Sequence, residues 1–428
     1  MTLRLLLIGM FALANVWQTP VFAAPRTVYQ GTLQGAGEIV MELDSQPATN
    51  GEIGGRYFYA RFGVDIPLKG KPNDLREPLA LADLRARTGD NSAGGDGVDF
   101  DEPAAIWKGT LDGTGYRGSW IDQRTGATRT FALKRIAQYD PDKVAPDAVE
   151  AVTKDISGGV GSGIAFDADI NATQAPYETR KLEGRAQPVG PEIGDGVVAY
   201  RMWRDPRTKF LYPRLSRYPD AQRMAHINHL LEQRQWQLSL AALACVATRY
   251  TDDGPAAGTL GDIDDEIVEV TWLSTALLGV TEAGSSFCGG AHPDNHYVPI
   301  TFDLLRGDYL DWNRILKAYQ MNKDGFPEPT AQMTDFIKRT HDRGLKVKGS
   351  DSDEDLDCAD ELPEYLAYAL YAPNTLGFVV SGIGHALGAC LGPQVKVTFD
   401  RLTPVLQPDA ARYLVPSVKL APVMRTGQ

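Results

Sequence analysis

Apolar and polar residues alternate with a period of two in the first third of the chain, in short segments separated by glycine. Such alternation is typical of strands that bury one face. The dipeptides Asp112-Gly113 and Thr125-Gly126 fit hairpin turns, and Leu75 to Arg87 fits a short helix or an extended segment. We therefore predict a small antiparallel β sheet or barrel, with strands at Val28–Leu33, Glu38–Leu43, Gly55–Phe62, Ile66–Lys69, Ile106–Leu111, Tyr116–Ile121 and Thr130–Leu133.

Residues 139–195 lose this alternation and are rich in Asp, Pro and Gly. The run from Ser157 to Gly163 is mostly glycine, which suits a phosphate-binding loop only where a strand leads into a helix. No helical pattern follows the run, and no lysine stands at the required offset. The sequence therefore favours a linker, an irregular segment or a wide hairpin here.

Helical spacing and strand-like runs alternate from residue 196 onward. A helix is predicted from Pro219 to about Ala247, with an apolar face and with arginines and glutamines on the opposite side. A second amphipathic helix is predicted at Pro329–Arg343. Further predicted segments are a strand at Val197–Trp203, a helix or strand at Leu362–Tyr371, and strands at Thr375–Ser381 and Gln394–Phe399, which flank the glycine-rich stretch 382–392.

A β-meander is predicted in the middle of this second half. Alternation from Ile267 to Leu278 precedes the loop Phe287–Asp294, in which two glycines and a proline force a sharp turn. Tyr297–Leu304 then reads as a strand, and Arg306-Gly307-Asp308 as a tight turn after it. The predicted fold class is α+β. The chain is predicted to consist of a leading segment at 1–23, a small antiparallel β domain at 24–138, the segment 139–195, and a domain at 196–428 in which an antiparallel sheet packs with helices.

The first residues have the pattern of a secretory signal peptide. Arg4 precedes an apolar run from Leu5 to Trp17, and small residues at Val21 and Ala23 suit a cleavage site after Ala23. An uncleaved anchor is the alternative, but the run is shorter than the ~20 residues of a spanning helix. We therefore predict an exported protein, either periplasmic or secreted.

Composition and charge exclude some classes of partner. The chain has 428 residues, 43% hydrophobic and 23% charged, which is ordinary for globular domains. Its formal net charge is −12. Nucleic acids and anionic lipids attract cationic surfaces, so neither is predicted as a partner. A basic protein partner would suit the acidic surface, although such a charge also serves solubility alone.

The chain contains four cysteines, all in its second half: Cys245, Cys288, Cys358 and Cys390. An even number in an exported chain predicts two disulfides, with three possible connectivities. We favour Cys245 with Cys288 and Cys358 with Cys390, because each pair closes a loop of moderate length. Metal binding by these cysteines is disfavoured, since no two stand at the spacing of a zinc knuckle.

Several short motifs, taken in order, resemble one family of exported domains. They are Tyr212-Pro213, Ile227-Asn228, Gly289-Gly290-Ala291-His292-Pro293, Phe302-Asp303-Leu304 with Gly307, Leu376-Gly377-Phe378-Val379-Val380, and Gly392-Pro393-Gln394-Val395-Lys396-Val397. Together they look like the extracellular domain of unknown function shared by lysozyme-sensing anti-sigma-V factors of the RsiV type and PdaC-type peptidoglycan deacetylases. The match spans about residues 197–407. The front segment resembles a small glycine- and aromatic-rich module of exported bacterial proteins.

The resemblance implies an α+β domain with an antiparallel sheet against helices. In the anti-sigma members this domain binds lysozyme, and in the deacetylases a separate domain carries catalysis. The present chain has no sigma-binding segment and lacks the Asp and His-x-x-x-His metal pattern of a polysaccharide deacetylase. The resemblance therefore favours binding of lysozyme or of peptidoglycan fragments, with no cofactor.

Candidate chemistry is concentrated in one histidine-containing loop. His292, Asp294 and His296 alternate there and could converge on a cation, with His385 as a fourth ligand. Loop histidines more commonly cap backbone groups or face water. Ser285-Ser286 lacks the Gly-x-Ser-x-Gly context of a nucleophile elbow. A metal-dependent cell-wall glycan hydrolase or deacetylase using these four residues is the alternative function.

The leading hypothesis is a non-catalytic envelope protein that binds a protein or cell-wall ligand. The loops around residues 289–294 and 384–392 would form its recognition surface. The predicted ligand-binding residues are Gly289, Gly290, Ala291, His292, Pro293, Asp294 and His385.

Overall fold

The structure is a computed structural model that describes residues 25–89, 98–140, 169–250, 266–286, 294–323, 325–342 and 358–420. The side chains of Ser286, Asp294, Asp342, Ala359 and His385 lie outside this description. The chain folds into antiparallel sheets and helices, so the predicted α+β class is confirmed.

The first unit is a closed barrel of eight antiparallel strands, the arrangement that the alternating pattern predicted. The first strand pairs with both the second and the last, which closes the barrel. Asp112-Gly113 and Thr125-Gly126 lie in two of its hairpin connections. The strands are β1 (Arg26–Leu33), β2 (Gly37–Asp44), β3 (Ile53–Tyr59), β4 (Ile66–Lys71), β5 (Asp74–Pro78), β6 (Pro103–Leu111), β7 (Gly115–Asp122) and β8 (Thr128–Tyr139).

Side chains fill the barrel interior. Tyr57 and Trp107 are fully buried and meet edge to face, with ring centroids 5.0 Å apart. The Tyr57 hydroxyl donates to the Glu77 carboxylate at 2.8 Å, which satisfies a polar group among the rings. Gly118 permits close strand contact, because a Cβ there would lie 2.0 Å from the Lys108 carbonyl oxygen.

The stretch Leu75–Arg87, for which the sequence predicted either a helix or an extended segment, contains both a strand and a helix. Strand β5 ends at Pro78, and helix α1 (Leu81–Thr88) follows. Gly89 ends this helix in the left-handed conformation at φ 71°, which glycine adopts without strain.

The segment 139–195 is more regular than its composition indicated. Residues 141–168 lie outside the described residues, but helix α2 (Pro176–Leu182) and strand β9 (Gln187–Gly194) follow. The interpretation as an irregular linker is therefore wrong for this part. Helix α2 is short but nearly all buried, so packing against the barrel rather than periodicity determines it.

A group of charged side chains connects the barrel to α2, and we call it the junction network: Glu42, Arg56, Asp65, Glu178 and Lys181. The Arg56 guanidinium lies 3.0 Å from Asp65 and 2.8 Å from Glu178. Lys181 donates to Asp65 at 2.9 Å. Two cations and three carboxylates thus hold the helix on the outside of the barrel.

The second half is built on four small antiparallel sheets. Strand order is β11-β10-β9 in the first and β12-β13-β14-β15 in the second, which confirms the predicted meander. The remaining sheets have the orders β16-β17 and β18-β19-β20. Their strands are β10 (Ala199–Arg204), β11 (Leu211–Arg217), β12 (Ile267–Leu273), β13 (Leu277–Ser286), β14 (Asp294–Asp303), β15 (Asp308–Tyr309), β16 (Tyr319–Met321), β17 (Pro327–Pro329), β18 (Leu366–Tyr371), β19 (Thr375–Val380) and β20 (Gly392–Thr398).

Helix α3 (Ala221–Ala247) forms one core with the first two of these sheets. Asp220 caps its start by accepting from the backbone N–H groups of Gln222 and Arg223. The predicted polar face is wrong over part of the helix, because Gln233, Arg234, Gln235 and Gln237 are all buried. Gln233, Arg234 and Gln235 form hydrogen bonds elsewhere in the fold, and Gln237 accepts from Arg234.

A second core lies among the meander, the β18–β20 sheet and two helices, α4 (Ala331–Asp342) and α5 (Leu362–Tyr365). The Ala372 N–H donates to the Thr271 carbonyl at 3.1 Å, which links the two sheets. The predicted Cys358–Cys390 disulfide is present in this core. Cys245 is also disulfide-bonded, but its predicted partner Cys288 lies outside the described residues.

Candidate functional site

The start of β14 and the predicted recognition segment 384–392 come together in the fold, whereas the other predicted segment, 289–294, lies outside the described residues apart from the backbone of Asp294. Strand β14 begins at Asp294, directly after the glycine-rich loop, and a 3₁₀ helix spans His385–Cys390. A Cβ on Gly388 would lie 3.5 Å from the Asn295 amide nitrogen. A Cβ on Gly392 would lie 3.7 Å from the Tyr297 ring. The start of β14 and the 382–392 stretch therefore form one surface.

The disulfide holds the second segment in this place. Cys390 is fully buried and ends the 3₁₀ helix, and its bond to Cys358 ties it to the second core. Gly392 then takes φ 108°, a conformation that only glycine adopts easily. The Gln394 side-chain amide donates to the Cys390 carbonyl at 2.6 Å, which braces the turn.

Two tyrosines and a lysine give this surface its chemistry, and we call Asn295, Tyr297, Tyr371, Gly388 and Lys396 the tyrosine surface. The hydroxyls of Tyr297 and Tyr371 lie 2.8 Å apart. The Lys396 ammonium lies 4.0 Å from the centre of the Tyr371 ring, within the range of a cation–π contact. All three side chains are half-buried, so each is held in place and yet reaches solvent.

Electrostatics keep the tyrosine hydroxyls protonated. Burial raises the pKa of Tyr371, and the neighbouring Tyr297 raises it further. Burial also raises the pKa of Tyr297. The pKa of Lys396 is lowered by burial, which the Glu269 carboxylate partly opposes. The surface therefore offers two neutral hydroxyls, aromatic faces and one ammonium, groups that can bind a ligand by hydrogen bonding, stacking and charge.

The four predicted metal candidates are described only in part. His292 lies outside the described residues, as do the side chains of Asp294 and His385. Gly289, Gly290, Ala291 and Pro293 also lie outside them. Within the described ranges, no group of three or more His, Cys, Asp or Glu side chains is placed to hold a metal ion. The hydrolase alternative stays a prediction.

His296 has a described position, and it lies inside the protein. Its Nε2 atom is 2.7 Å from the Glu266 carboxylate, and the two side chains are only 5% and 1% exposed. Burial raises the pKa of Glu266, and the contact with His296 partly offsets this. A buried pair of this kind orients both side chains, and His296 is separate from the tyrosine surface formed by its neighbours Asn295 and Tyr297.

Sequence reasoning missed a deeper ionic site between α3 and the meander. The Arg234 Nε atom donates to Glu282 at 2.8 Å, and Tyr212 donates to the same carboxylate at 2.7 Å. The side chains of Arg234 and Glu282 are 2% and 0% exposed. Burial lowers the pKa of Arg234, but Glu282 outweighs this and the net shift is upward. Glu282 stands at a polar position of an alternating strand, so only its depth in the fold distinguishes it.

Comparison with known proteins adds no assignment. No protein-family model matches the chain, and no curated protein matches it. None of the helices in the described ranges is long and apolar enough to cross a membrane. The Cys358–Cys390 disulfide fits an oxidising compartment such as the cell exterior. Any functional assignment therefore depends on the residues described above.

Proposed function

We propose that this chain is an exported, non-catalytic envelope protein that binds a cell-wall ligand through the tyrosine surface. The observation that carries the proposal is the meeting of β14 and the 382–392 stretch around Tyr297 and Tyr371. The 384–392 stretch was predicted as a binding loop, and β14 follows directly after the other predicted binding loop, 289–294. The signal-like pattern ending at Ala23 and the Cys358–Cys390 disulfide support export to the periplasm or outside the cell.

The groups on this surface suit a peptidoglycan fragment. Aromatic faces stack on sugar rings, and tyrosine hydroxyls both donate to and accept from sugar hydroxyl and amide groups. The Lys396 ammonium complements the carboxylates of the peptide stem. Lysozyme, the partner suggested by the family resemblance, is the second ligand to test, because a basic protein would be attracted to a chain of net charge −12.

Calorimetric titration of the purified chain with soluble peptidoglycan fragments tests the proposal. We expect binding that weakens at least tenfold when Tyr297→Phe and Tyr371→Phe are combined, because both hydroxyls are lost while the rings remain. Lys396→Gln should weaken binding by a similar factor. Lysozyme is titrated in parallel with the same variants.

Tyr139→Phe is the matched control, since Tyr139 donates to Glu42 on the barrel, far along the chain from this surface. It should leave binding unchanged. If neither the peptidoglycan fragments nor lysozyme bind the unaltered protein in the titration, the proposed function is refuted. If only lysozyme binds, and the tyrosine variants lose this binding, the tyrosine surface remains the binding site but its ligand is lysozyme rather than peptidoglycan.

A further inference from the structure

A cavity of about 500 Å³ lies where the barrel meets the second half of the chain, and we call it the seam pocket. One wall is the turn after β3, including Arg61 and Phe62. The other wall is the β10–β11 turn around Arg207 and Lys209, with the last turns of α3 below it. Its volume is in the range of pockets that hold small molecules.

The charges around the seam pocket have one sign. Arg61, Arg207 and Lys209 line it, and no carboxylate does so among the described residues. Within the described part of the chain, neither Arg61 nor Lys209 forms an ion pair. Asp205 pairs with Arg207, so Arg61 and Lys209 are the two lining cations without an ion pair in the described part of this acidic chain. The pocket is therefore complementary to an anion.

Arg207 is fixed in position and has a spare donor. Asp205 accepts from its Nε and Nη2 atoms at 3.0 and 2.6 Å, and the Arg207 side chain is only 7% exposed. Its buried Nη1 atom has no hydrogen-bond partner among the described residues. A buried donor left without a partner is costly, so this atom favours an acceptor supplied from outside.

Glycine makes room for that donor. Gly63 lies at φ 74°, and a Cβ there would stand 2.6 Å from Arg207 Nη1. The barrel turn can therefore pass close over the guanidinium without covering it with a side chain. Arg61 stacks on Phe62 beside it, with its guanidinium carbon 4.4 Å from the ring centre.

The rest of the seam pocket is apolar. Leu243 and Val246 of α3 contribute aliphatic groups, and Phe62 is 52% exposed, unusually high for an aromatic ring. A free inorganic anion would leave these groups in contact with water. An anion with an apolar body would bury them and satisfy the cations together.

The cleft beside the junction network provides a contrast. It measures about 400 Å³, and its lining contains the carboxylates Glu42, Asp44 and Glu178 as well as Arg26 and Arg56. There the cations already have partners within the protein. From the two cations without an ion pair, the spare Arg207 donor and the apolar wall we infer that the seam pocket binds a medium-chain carboxylate, with the carboxylate at Arg207 and Lys209 and the chain against Phe62 and Leu243.

Calorimetric titration of the whole purified protein with sodium octanoate tests this inference, with 1-octanol and sodium acetate as comparison ligands. We expect octanoate to bind with Kd below about 1 mM, and both comparison ligands at least tenfold more weakly. Lys209→Gln and Arg61→Gln, which alter exposed side chains, should each weaken octanoate binding about three- to tenfold. Val246→Trp should abolish binding by filling the cavity.

Lys134→Gln on the barrel is the matched control, since Lys134 is exposed and lies outside the seam pocket. It should leave octanoate binding unchanged, and circular dichroism should show that each variant is folded. The inference is overturned if octanoate fails to bind, if octanol or acetate binds as tightly, or if Lys134→Gln weakens binding as much as Lys209→Gln. Because the tyrosine surface shares no residue with this pocket, its own test is independent.

Discussion

The junction network and the Arg234–Glu282 pair use the same chemistry in two different settings. At the junction, Arg56 contacts three carboxylates, yet 29% of its side chain remains exposed. In the core, Arg234 meets the Glu282 carboxylate and both side chains are almost completely enclosed. The junction joins elements of two structural units, whereas the core pair lies within one unit, between α3 and the meander.

The difference shows how burial determines what an ion pair contributes. Removal of charges from water is costly, and the cost is recovered only if every charge finds a close partner. The core pair is almost fully enclosed, so loss of Glu282 removes the carboxylate in direct contact with a buried guanidinium and water cannot take its place. The junction distributes its charges over several partners and retains some water, so loss of one partner is partly compensated.

The largest effect is expected for Glu282→Gln. It removes the charge that contacts the buried Arg234 guanidinium, and the free energy of unfolding should fall by about 3–5 kcal/mol. Urea unfolding followed by circular dichroism measures this. The double variant Arg234→Met and Glu282→Leu removes both charges and should recover most of the loss. A Glu282→Gln variant as stable as the parent protein would contradict the greater dependence on the partner that burial implies for the core pair.

A smaller, pH-dependent effect is expected at the junction. Burial alone would raise the pKa of Asp65, but Lys181 and Arg56 outweigh it and hold this pKa below its ordinary value of 3.8. The carboxylate therefore stabilises the fold above about pH 4, and this contribution is lost as the pH falls through the lowered pKa. Asp65→Asn should destabilise the protein by about 1–3 kcal/mol at pH 7.

Urea unfolding at pH 7 and at pH 3 measures the junction effect. The difference between parent and Asp65→Asn should be smaller at pH 3, because part of the parent's stabilisation is then lost. A difference that stays constant with pH would assign the effect of Asp65→Asn to packing rather than to charge.

The smallest effect is expected at an exposed pair that serves as a reference for both networks. Arg217 lies 2.6 Å from Glu192, and both side chains are substantially exposed. Solvent screens such pairs, so Glu192→Gln should change the free energy of unfolding by less than about 1 kcal/mol. The same urea series measures it. A loss as large as that of Glu282→Gln would contradict the role assigned to burial.

Much of the fold follows from local patterns. The period of two in the front segment and in Val268–Trp272 predicted the barrel strands and the meander, because a strand that buries one face must alternate. The long helix α3 was predicted within two residues of its observed start. Helix α2 was missed, since six of its seven residues are buried by packing rather than arranged on one apolar face.

The candidate site was only partly predictable. The sequence predicted unusual loops at residues 289–294 and 384–392. The fold places Asn295, which directly follows the first loop, beside Gly388 in the second. The sequence did not single out Tyr371 or Lys396 as binding residues, although Lys396 lies in a motif of the family resemblance; both reach this surface through strands β18 and β20. Aromatic and basic residues in strands are common, so their spatial meeting carries no local signal.

The sequence by itself determined the alternation of strands and helices, the acidic charge and the cysteines that form the Cys358–Cys390 disulfide. Only the tertiary structure decided which polar residues are buried and which donor atoms, such as Arg207 Nη1, have no partner among the described residues. The periodicity of apolar residues indicates which face of a single helix or strand is buried. The burial and the partners of Arg234, Glu282 and Arg207 depend instead on elements distant in the chain. Long-range packing sets their burial and partners, and with them their electrostatics.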